Sequence, residues 1–271
     1  MPELPEVETV RRGLSVLLQD QPVIAGFEFR RKDLRDPIPI KKIRRLEGQA
    51  IRSVLRRSKY LLFETDEGAL LSHLGMTGSW RAAVPGDERG HDHFVMKFTN
   101  GLSLVYRDPR RFGILDFVER PYDKHARLRN LGPEPLEEGF HADLLWELSR
   151  SRTVPVKNFL MNAATVVGVG NIYASEALFR AGVRPQRRAH RLTRPEVERL
   201  VQTIREVLLE SIRAGGSSIS DYVQASGEEG LFQANFRVYD RAGEPCVVCG
   251  QQVRRLMQAG RSSYYCPKCQ R

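Results

Sequence analysis

Residues 60–74 read YLLFETDEGALLSHL. Two short apolar runs, Tyr60–Glu64 and residues 70–74, flank the turn signal Asp66-Glu67-Gly68, so the stretch predicts a β-hairpin. The same texture extends outward in both directions: β-rich runs at 23–29, 50–55, 94–98, 102–106 and Ile114–Val118, with Thr99-Asn100-Gly101 as a second hairpin turn. Strands this short, broken this regularly, predict an antiparallel β-sandwich. Ahead of them, residues 1–18 predict a helix: Pro5 suits a first turn, Glu6 and Glu8 complement the dipole, and Val7, Val10, Leu14 and Leu17 form one apolar stripe.

Beyond Pro121 the pattern changes. Leu131-Gly132-Pro133-Glu134-Pro135 excludes regular structure and reads as a linker. Helical signals follow at 143–149, at 155–162, and at 172–181 with Asn171 as N-cap and Gly182 just past the end. The strongest helix spans 194–214, opened by a Thr193/Glu196 capping box and striped by Val197, Leu200, Val201, Ile204, Leu208 and Ile212. Residues 215–235 are rich in Gly and Ser and predict a long mobile loop. The expected fold is therefore α+β in two domains: an N-terminal helix and antiparallel β-sandwich at 1–130, then a helical domain at 131–235 extended by a metal-bearing segment at 236–271.

With 43 Lys and Arg against 33 Asp and Glu, the formal net charge is +10, which should draw a polyanion to the surface. Charge alone leaves nucleic acid, an acidic protein and a membrane surface as partners. No run reaches the apolar length needed to span a bilayer, and Met1-Pro2-Glu3 opens an acidic segment unlike a signal peptide, so a soluble, cytoplasmic protein with no membrane partner is expected.

All four cysteines fall in the last 26 residues: Cys246-x2-Cys249, sixteen residues, then Cys266-x2-Cys269. That spacing predicts one zinc ion held by four thiolates, with no open position and hence a structural role; an iron–sulfur cluster is the rival. Arg254, Arg255 and Arg261 lie between the pairs, where a small metal-held hairpin could present guanidinium groups to phosphate.

At the other terminus, removal of Met1 would turn Pro2 into a secondary amine, able to form an iminium at a sugar C1′ and so to acidify the C2′ proton. Glu3 and Glu6 beside it could supply a proton and fix the terminus. Residue types alone equally suit a plain helix start.

Met1-Pro2-Glu3-Leu4-Pro5-Glu6-Val7-Glu8-Thr9 resembles the start of the bacterial formamidopyrimidine-DNA glycosylases. The likeness continues in order through Ser58-Lys59-Tyr60-Leu61-Leu62, His73-Leu74-Gly75-Met76, His91-Asp92-His93, Asp108-Pro109-Arg110-Arg111-Phe112-Gly113, Leu131-Gly132-Pro133-Glu134-Pro135, Val167-Gly168-Val169-Gly170-Asn171-Ile172-Tyr173-Ala174-Ser175-Glu176 and the cysteines. The resemblance implies a bifunctional glycosylase and lyase of base excision repair, acting on duplex DNA that carries oxidised purines or abasic sites. It implies Pro2 as Schiff-base nucleophile, Glu3 as proton donor in glycosyl cleavage, Lys59 as proton donor in β-elimination and Arg261 as helper in δ-elimination, with Glu6 in support. Met76, Arg110 and Phe112 would fill the gap left by a flipped base, although Met76 and Phe112 would also suit a core.

The same matching makes Asn171, in a helix-two-turn-helix, a phosphate contact, and Lys157, Arg152 and His91 further candidates. His73 is a DNA candidate that could equally be structural. Residues 215–231 correspond to the family's lid over the flipped base; Ser217-Ser218 stands where Thr-Thr is more usual, which touches lesion preference. An endonuclease VIII-like glycosylase for oxidised pyrimidines and a noncatalytic zinc-finger DNA-binding protein are the alternatives. A monomer is expected, since a lesion on one strand asks for no two-fold symmetry.

Overall fold

The structure, a computed structural model, describes residues 1–84, 86–217 and 231–271. The chain forms two compact units, Met1–Arg129 with Ala214–Leu231, and Asn130–Arg213 with Phe232–Arg271.

In the first unit, helix α1 (Leu4–Leu17) is followed by β1 (Ile24–Phe29), a single turn α2 (Ile40–Ile43), and seven further strands: β2 (Ser53–Arg57), β3 (Tyr60–Glu64), β4 (Ala69–His73), β5 (Ser79–Ala83), β6 (Asp92–Phe98), β7 (Ser103–Arg107) and β8 (Ile114–Val118). They form two four-stranded antiparallel sheets, in the orders β1-β6-β7-β5 and β2-β3-β4-β8. The opening hairpin is confirmed: Glu64 pairs with Ala69 and Tyr60 with His73, closing the loop over Asp66-Glu67-Gly68. Trp80 joins the layers. Its ring lies 4.9 Å from Phe63 and 5.2 Å from Tyr106, and its indole Nε1 donates to Ser72 Oγ at 3.0 Å, so the buried polar tip is satisfied.

Strand β5 escaped the sequence reading because Trp80 is its only large apolar residue among Ser79, Arg81, Ala82 and Ala83. The run at 50–55 shifts to Ser53–Arg57, with Ala50 making only an isolated bridge to Val23. On α1, Val7, Val10 and Leu14 are buried as expected, but Leu17 is 37% exposed and Leu18, past the helix end, takes the core position at 4%. The C-cap residue leaves helical geometry at ψ +14°, which redirects the chain after Leu17.

The second unit contains α3 (Ala142–Arg150), α4 (Val156–Leu160), α5 (Asn171–Arg180), α6 (Arg194–Arg213) and a hairpin of β9 (Arg254–Gln258) and β10 (Arg261–Tyr265). All six stripe residues of α6 are buried. Its start has the Glu196 half of the capping box, the carboxylate accepting Thr193 N–H at 2.7 Å. Thr193 Oγ1 also donates to that carboxylate, at 2.9 Å. Helix α5 is buried at every position from Ile172 to Phe179, and Gly182 follows it at φ +73°. Its N-cap is Gly170, not Asn171, which begins the helix proper and turns its side chain elsewhere. Residues 131–135 are irregular as expected yet docked: Gly132 N–H donates to Ala163 O at 2.8 Å, and a Cβ there would meet Ala164 O at 2.6 Å. Among the described residues no helix is long and apolar enough to cross a membrane.

Candidate active site and metal centre

Helix α1 begins with Leu4 and Pro5 in its first turn, where a proline costs no hydrogen bond. Glu3 is the N-cap, and it closes a capping box with Glu6. Glu6 Oε2 accepts Glu3 N–H at 2.8 Å, while Oε1 accepts Ser217 N–H at 2.9 Å and Ser217 Oγ at 3.1 Å. Glu6 therefore fixes the chain one residue beyond Pro2 and ties it to Gly216-Ser217. Pro2, Glu3 and Glu6 are all buried. The amino group ahead of them is drawn below its ordinary value, first by burial and then by the Lys59 and Arg110 charges, against the opposing pull of Glu3 and Glu6. Two carboxylates and two cations thus converge on the start of the chain.

Lys59 lies in the two-residue loop Ser58-Lys59 closed by the Arg57–Tyr60 pair. Ser58 takes φ +57°, a left-handed geometry that serine adopts at a cost. His73, at the end of β4, accepts Gly75 N–H through Nδ1 at 3.0 Å and packs on Tyr60 at 4.9 Å. Burial, helped by the charges of Lys59, Arg35 and Arg127, lowers it to about 4. The imidazole is thus neutral at neutral pH and bound to the backbone of the loop that carries Met76. His91 is exposed at φ +70°, its ring 6.2 Å from that of buried His93.

Met76, Arg110 and Phe112 occupy two loops locked to each other. Met76 is 38% and Phe112 44% exposed, so neither packs in the core, and the Arg110 guanidinium stacks 4.8 Å over the Phe112 ring. Beneath them Asp108 is fully buried: Oδ1 accepts Thr77 Oγ1 at 2.6 Å and Oδ2 accepts Gly113 N–H at 2.7 Å. Thr77 Oγ1 in turn accepts Arg110 N–H at 3.1 Å. Gly75, at φ +61°, presses on the Phe112 backbone, where a Cβ would come within 2.4 Å. Asp108 and Thr77 were missed from sequence. An Asp-Pro opening with a glycine five residues on is the signal that could have found them, since aspartate side chains bind the backbone of the turn they start.

In the second unit Arg152 and Arg261 are exposed. Lys157 is not: it is 1% exposed, and its ammonium donates to Asn171 Oδ1 at 2.6 Å, Ser263 Oγ at 2.7 Å and Ser262 O at 2.9 Å. Its three donors meet three protein acceptors, so in this structure Lys157 is a buried anchor for Asn171 and the β10 backbone. Asn171 is half-buried at the first position of α5, its oxygen turned toward Lys157. Another residue missed from sequence is Glu176, fully buried, whose carboxylate accepts the N–H groups of Arg237, Val238 and Tyr239 at 2.8–3.1 Å. It anchors the segment leading into the metal site.

The four cysteines converge as their spacing predicted, all four Sγ atoms within 4.8 Å of one another. Cys246 and Cys269 sulfurs are 3.9 Å apart and those of Cys249 and Cys266 3.5 Å. A zinc about 2.3 Å from each sulfur needs separations of about 3.8 Å, so the donor set fits one tetrahedral ion with no vacant position. The Gln251 backbone N–H draws the Cys249 thiol down to about 7, readying it as a thiolate ligand. The lid residues expected at 215–231 are described only at 215–217 and 231; residues 218–230 lie outside the described residues.

Three family models match the chain: the formamidopyrimidine-DNA glycosylase N-terminal domain over residues 1–115, the formamidopyrimidine-DNA glycosylase H2TH domain over 131–223, and the zinc finger found in FPG and IleRS over 243–271. The formamidopyrimidine-DNA glycosylase of Bdellovibrio bacteriovorus is 58% identical across the full length of both chains, and that of Thioalkalivibrio sulfidiphilus is 50% identical across both. Among solved structures, the MutM (FPG) protein of Thermus thermophilus superposes with a TM-score of 0.89 at 40% identity, covering 99% of this chain and 98% of that one. A Lactococcus lactis FPG mutant in complex with Fapy-dG containing DNA gives 0.91 at 35% identity over all of both chains.

Proposed function

The chain belongs to the formamidopyrimidine-DNA glycosylase family, and from that membership and its own geometry we propose that it excises oxidised purines, 8-oxoguanine and formamidopyrimidines, and then nicks the strand. The observation that carries the reading is the convergence of Glu3, Glu6 and Lys59 on the amino terminus.

Once Met1 is removed, the Pro2 nitrogen is a secondary amine rather than an amide. Burial lowers the proton affinity of an amine at this terminus, so a larger fraction is neutral at neutral pH and able to attack C1′. Glu3 donates a proton as the glycosidic bond breaks and the base departs; the sugar ring opens to leave an iminium joining Pro2 to C1′. Loss of the C2′ proton then expels the 3′ phosphate with Lys59 as the proton donor, and a second elimination, assisted by Arg261, expels the 5′ phosphate. Glu6 holds Glu3 in place throughout.

The target base must leave the stack, at a cost of a few kcal/mol. Exposed Met76 and Phe112 are suited to occupy the gap, and Arg110 to donate to the orphaned partner base, because Asp108, Thr77 and Gly75 hold their two loops as one piece. Asn171, Arg152 and His91 supply phosphate contacts. The zinc is structural: Cys246, Cys249, Cys266 and Cys269 hold it, and it stabilises the hairpin that carries Arg261.

The decisive experiment incubates processed, zinc-loaded protein with duplex containing 8-oxoguanine opposite cytosine under borohydride. A covalent adduct with strand scission is expected; uncut, unlinked duplex would leave only a basic, metal-held DNA-binding protein.

A further inference from the structure

We propose that Arg56 is a positioning residue, a strut that holds the Lys59 turn in register with the helix carrying the amino terminus. It rests on the lyase reading above and adds to it the residue that fixes the lysine's place.

The Ser58-Lys59 loop leaves its sheet at the Arg57–Tyr60 pair, the last of the β2–β3 ladder. A two-residue tip can rock about such a pair, and Ser58 already occupies a left-handed conformation that it does not favour. Arg56 removes that freedom. Its Nη1 donates to Ser58 O at 3.1 Å and its Nε to Glu8 Oε2 at 3.2 Å. One planar guanidinium therefore joins the peptide next to Lys59 to the second turn of α1.

The far end of the strut is itself held. Arg11 binds Glu8 through Nε at 3.0 Å and Nη2 at 2.8 Å, and Arg12 through Nε at 3.0 Å. Burial would raise the Glu8 carboxyl, but hydrogen bonds from Arg11 and Arg12 hold it below the usual carboxylate range, so the anchor stays charged. The Arg56 and Glu8 side chains are 11% and 12% exposed, far less open to solvent than Arg12 at 58%. Arginine suits this place because its fork offers separate donors in one rigid plane; a lysine has a single point of attachment on a flexible stem. Positional error of about 1 Å in a reacting group can slow a reaction up to about 100-fold, and the strut sets that position for the group that must protonate during elimination.

The test uses full-length, zinc-loaded, Met1-processed protein on duplex with a preformed abasic site. Imine formation is read by borohydride trapping and β-elimination by single-turnover strand scission. For R56Q we expect trapping within about twofold of wild type while scission slows about tenfold or more, with R56K between the two. R12Q, which leaves Glu8 held by the two Arg11 bonds and leaves the Arg56 contacts untouched, should change neither rate. Equal slowing of both steps in R56Q, no slowing of either, or the same split in R12Q overturns the strut. Should R56Q fail to fold, R56K against R12Q gives the same comparison. A wild-type protein that forms no adduct overturns the lyase reading itself, a distinguishable failure.

Discussion

Lys157 donates to Asn171 Oδ1 across 2.6 Å, and this one contact fixes which way the asparagine amide faces. With the oxygen committed to the ammonium, both N–H donors of Asn171 are left for an external acceptor, so we expect the buried lysine to orient this amide for phosphate without meeting phosphate itself.

Salt dependence separates these roles. Each phosphate contact contributes roughly one unit to the slope of log affinity against log salt. R152Q should lower that slope by about one for abasic duplex, whereas K157M should weaken binding with the slope unchanged. K157M should also cost about 1–3 kcal/mol of stability, because Asn171, Ser262 and Ser263 lose a buried charged donor. A reduced slope in K157M, measured by titration at several salt concentrations, would return the lysine to the phosphate.

His73 makes stability depend on pH. It is lowered to about 4 in the folded chain against about 6.5 unfolded. The unfolded state therefore binds a proton first as pH falls: the contribution is complete above about pH 6.5, declines below it and is gone by about pH 4, to a total of about 3 kcal/mol. H73N, whose amide oxygen can still accept Gly75 N–H, should flatten this part of the profile in urea melts. An unchanged acid limb would refute the assignment.

Much of this was legible because local pattern and tertiary outcome agree. Tyr60–Glu64 and Ile114–Val118 are short apolar runs set between turn signals and appear with the bounds read for them. The cysteine spacing placed the metal because two CxxC turns can each present two thiolates to one ion. What stayed hidden was set by partners distant in sequence. Nothing local tells that Lys157 will meet Ser262 and Ser263, that Arg56 will reach Glu8, or that Glu176 will bind the backbone at 237–239. Leu17 and Leu18 are indistinguishable by type; the turn that ends α1 decides which is buried.

Gly113 is required by close approach alone, since a Cβ there would lie 1.8 Å from Tyr106 Oη. G113A should be strongly destabilised, by about 3 kcal/mol or more, and should reduce excision from paired duplex by disturbing the Phe112 loop. Removing the hydroxyl in a G113A/Y106F double variant should recover part of that stability, the rest being withheld by the 2.9 Å approaches to Tyr106 Cζ and His73 O and by the lost Tyr106 bond to His73 O. Simple additivity of the two single changes in thermal melts would show that the clash is not the cause.

Retention of Met1 offers the sharpest check on the nucleophile. An acylated proline nitrogen has its lone pair in an amide, so protein verified by mass spectrometry to keep Met1 should give no borohydride adduct, while the processed form should give one. In the processed form the trapping rate on abasic duplex should rise with pH as the amine loses its proton and then level off. Burial displaces this midpoint downward, in the direction found for the amino group at this terminus, so the plateau should begin at lower pH than for a solvent-exposed prolyl peptide. Replacing Glu6 by glutamine keeps a carbonyl for Glu3 N–H but removes one charge that favours the protonated amine, so the midpoint of E6Q should move lower still. A midpoint that moved upward in E6Q, or adduct from the Met1-bearing chain, would mean that some other amine attacks the sugar.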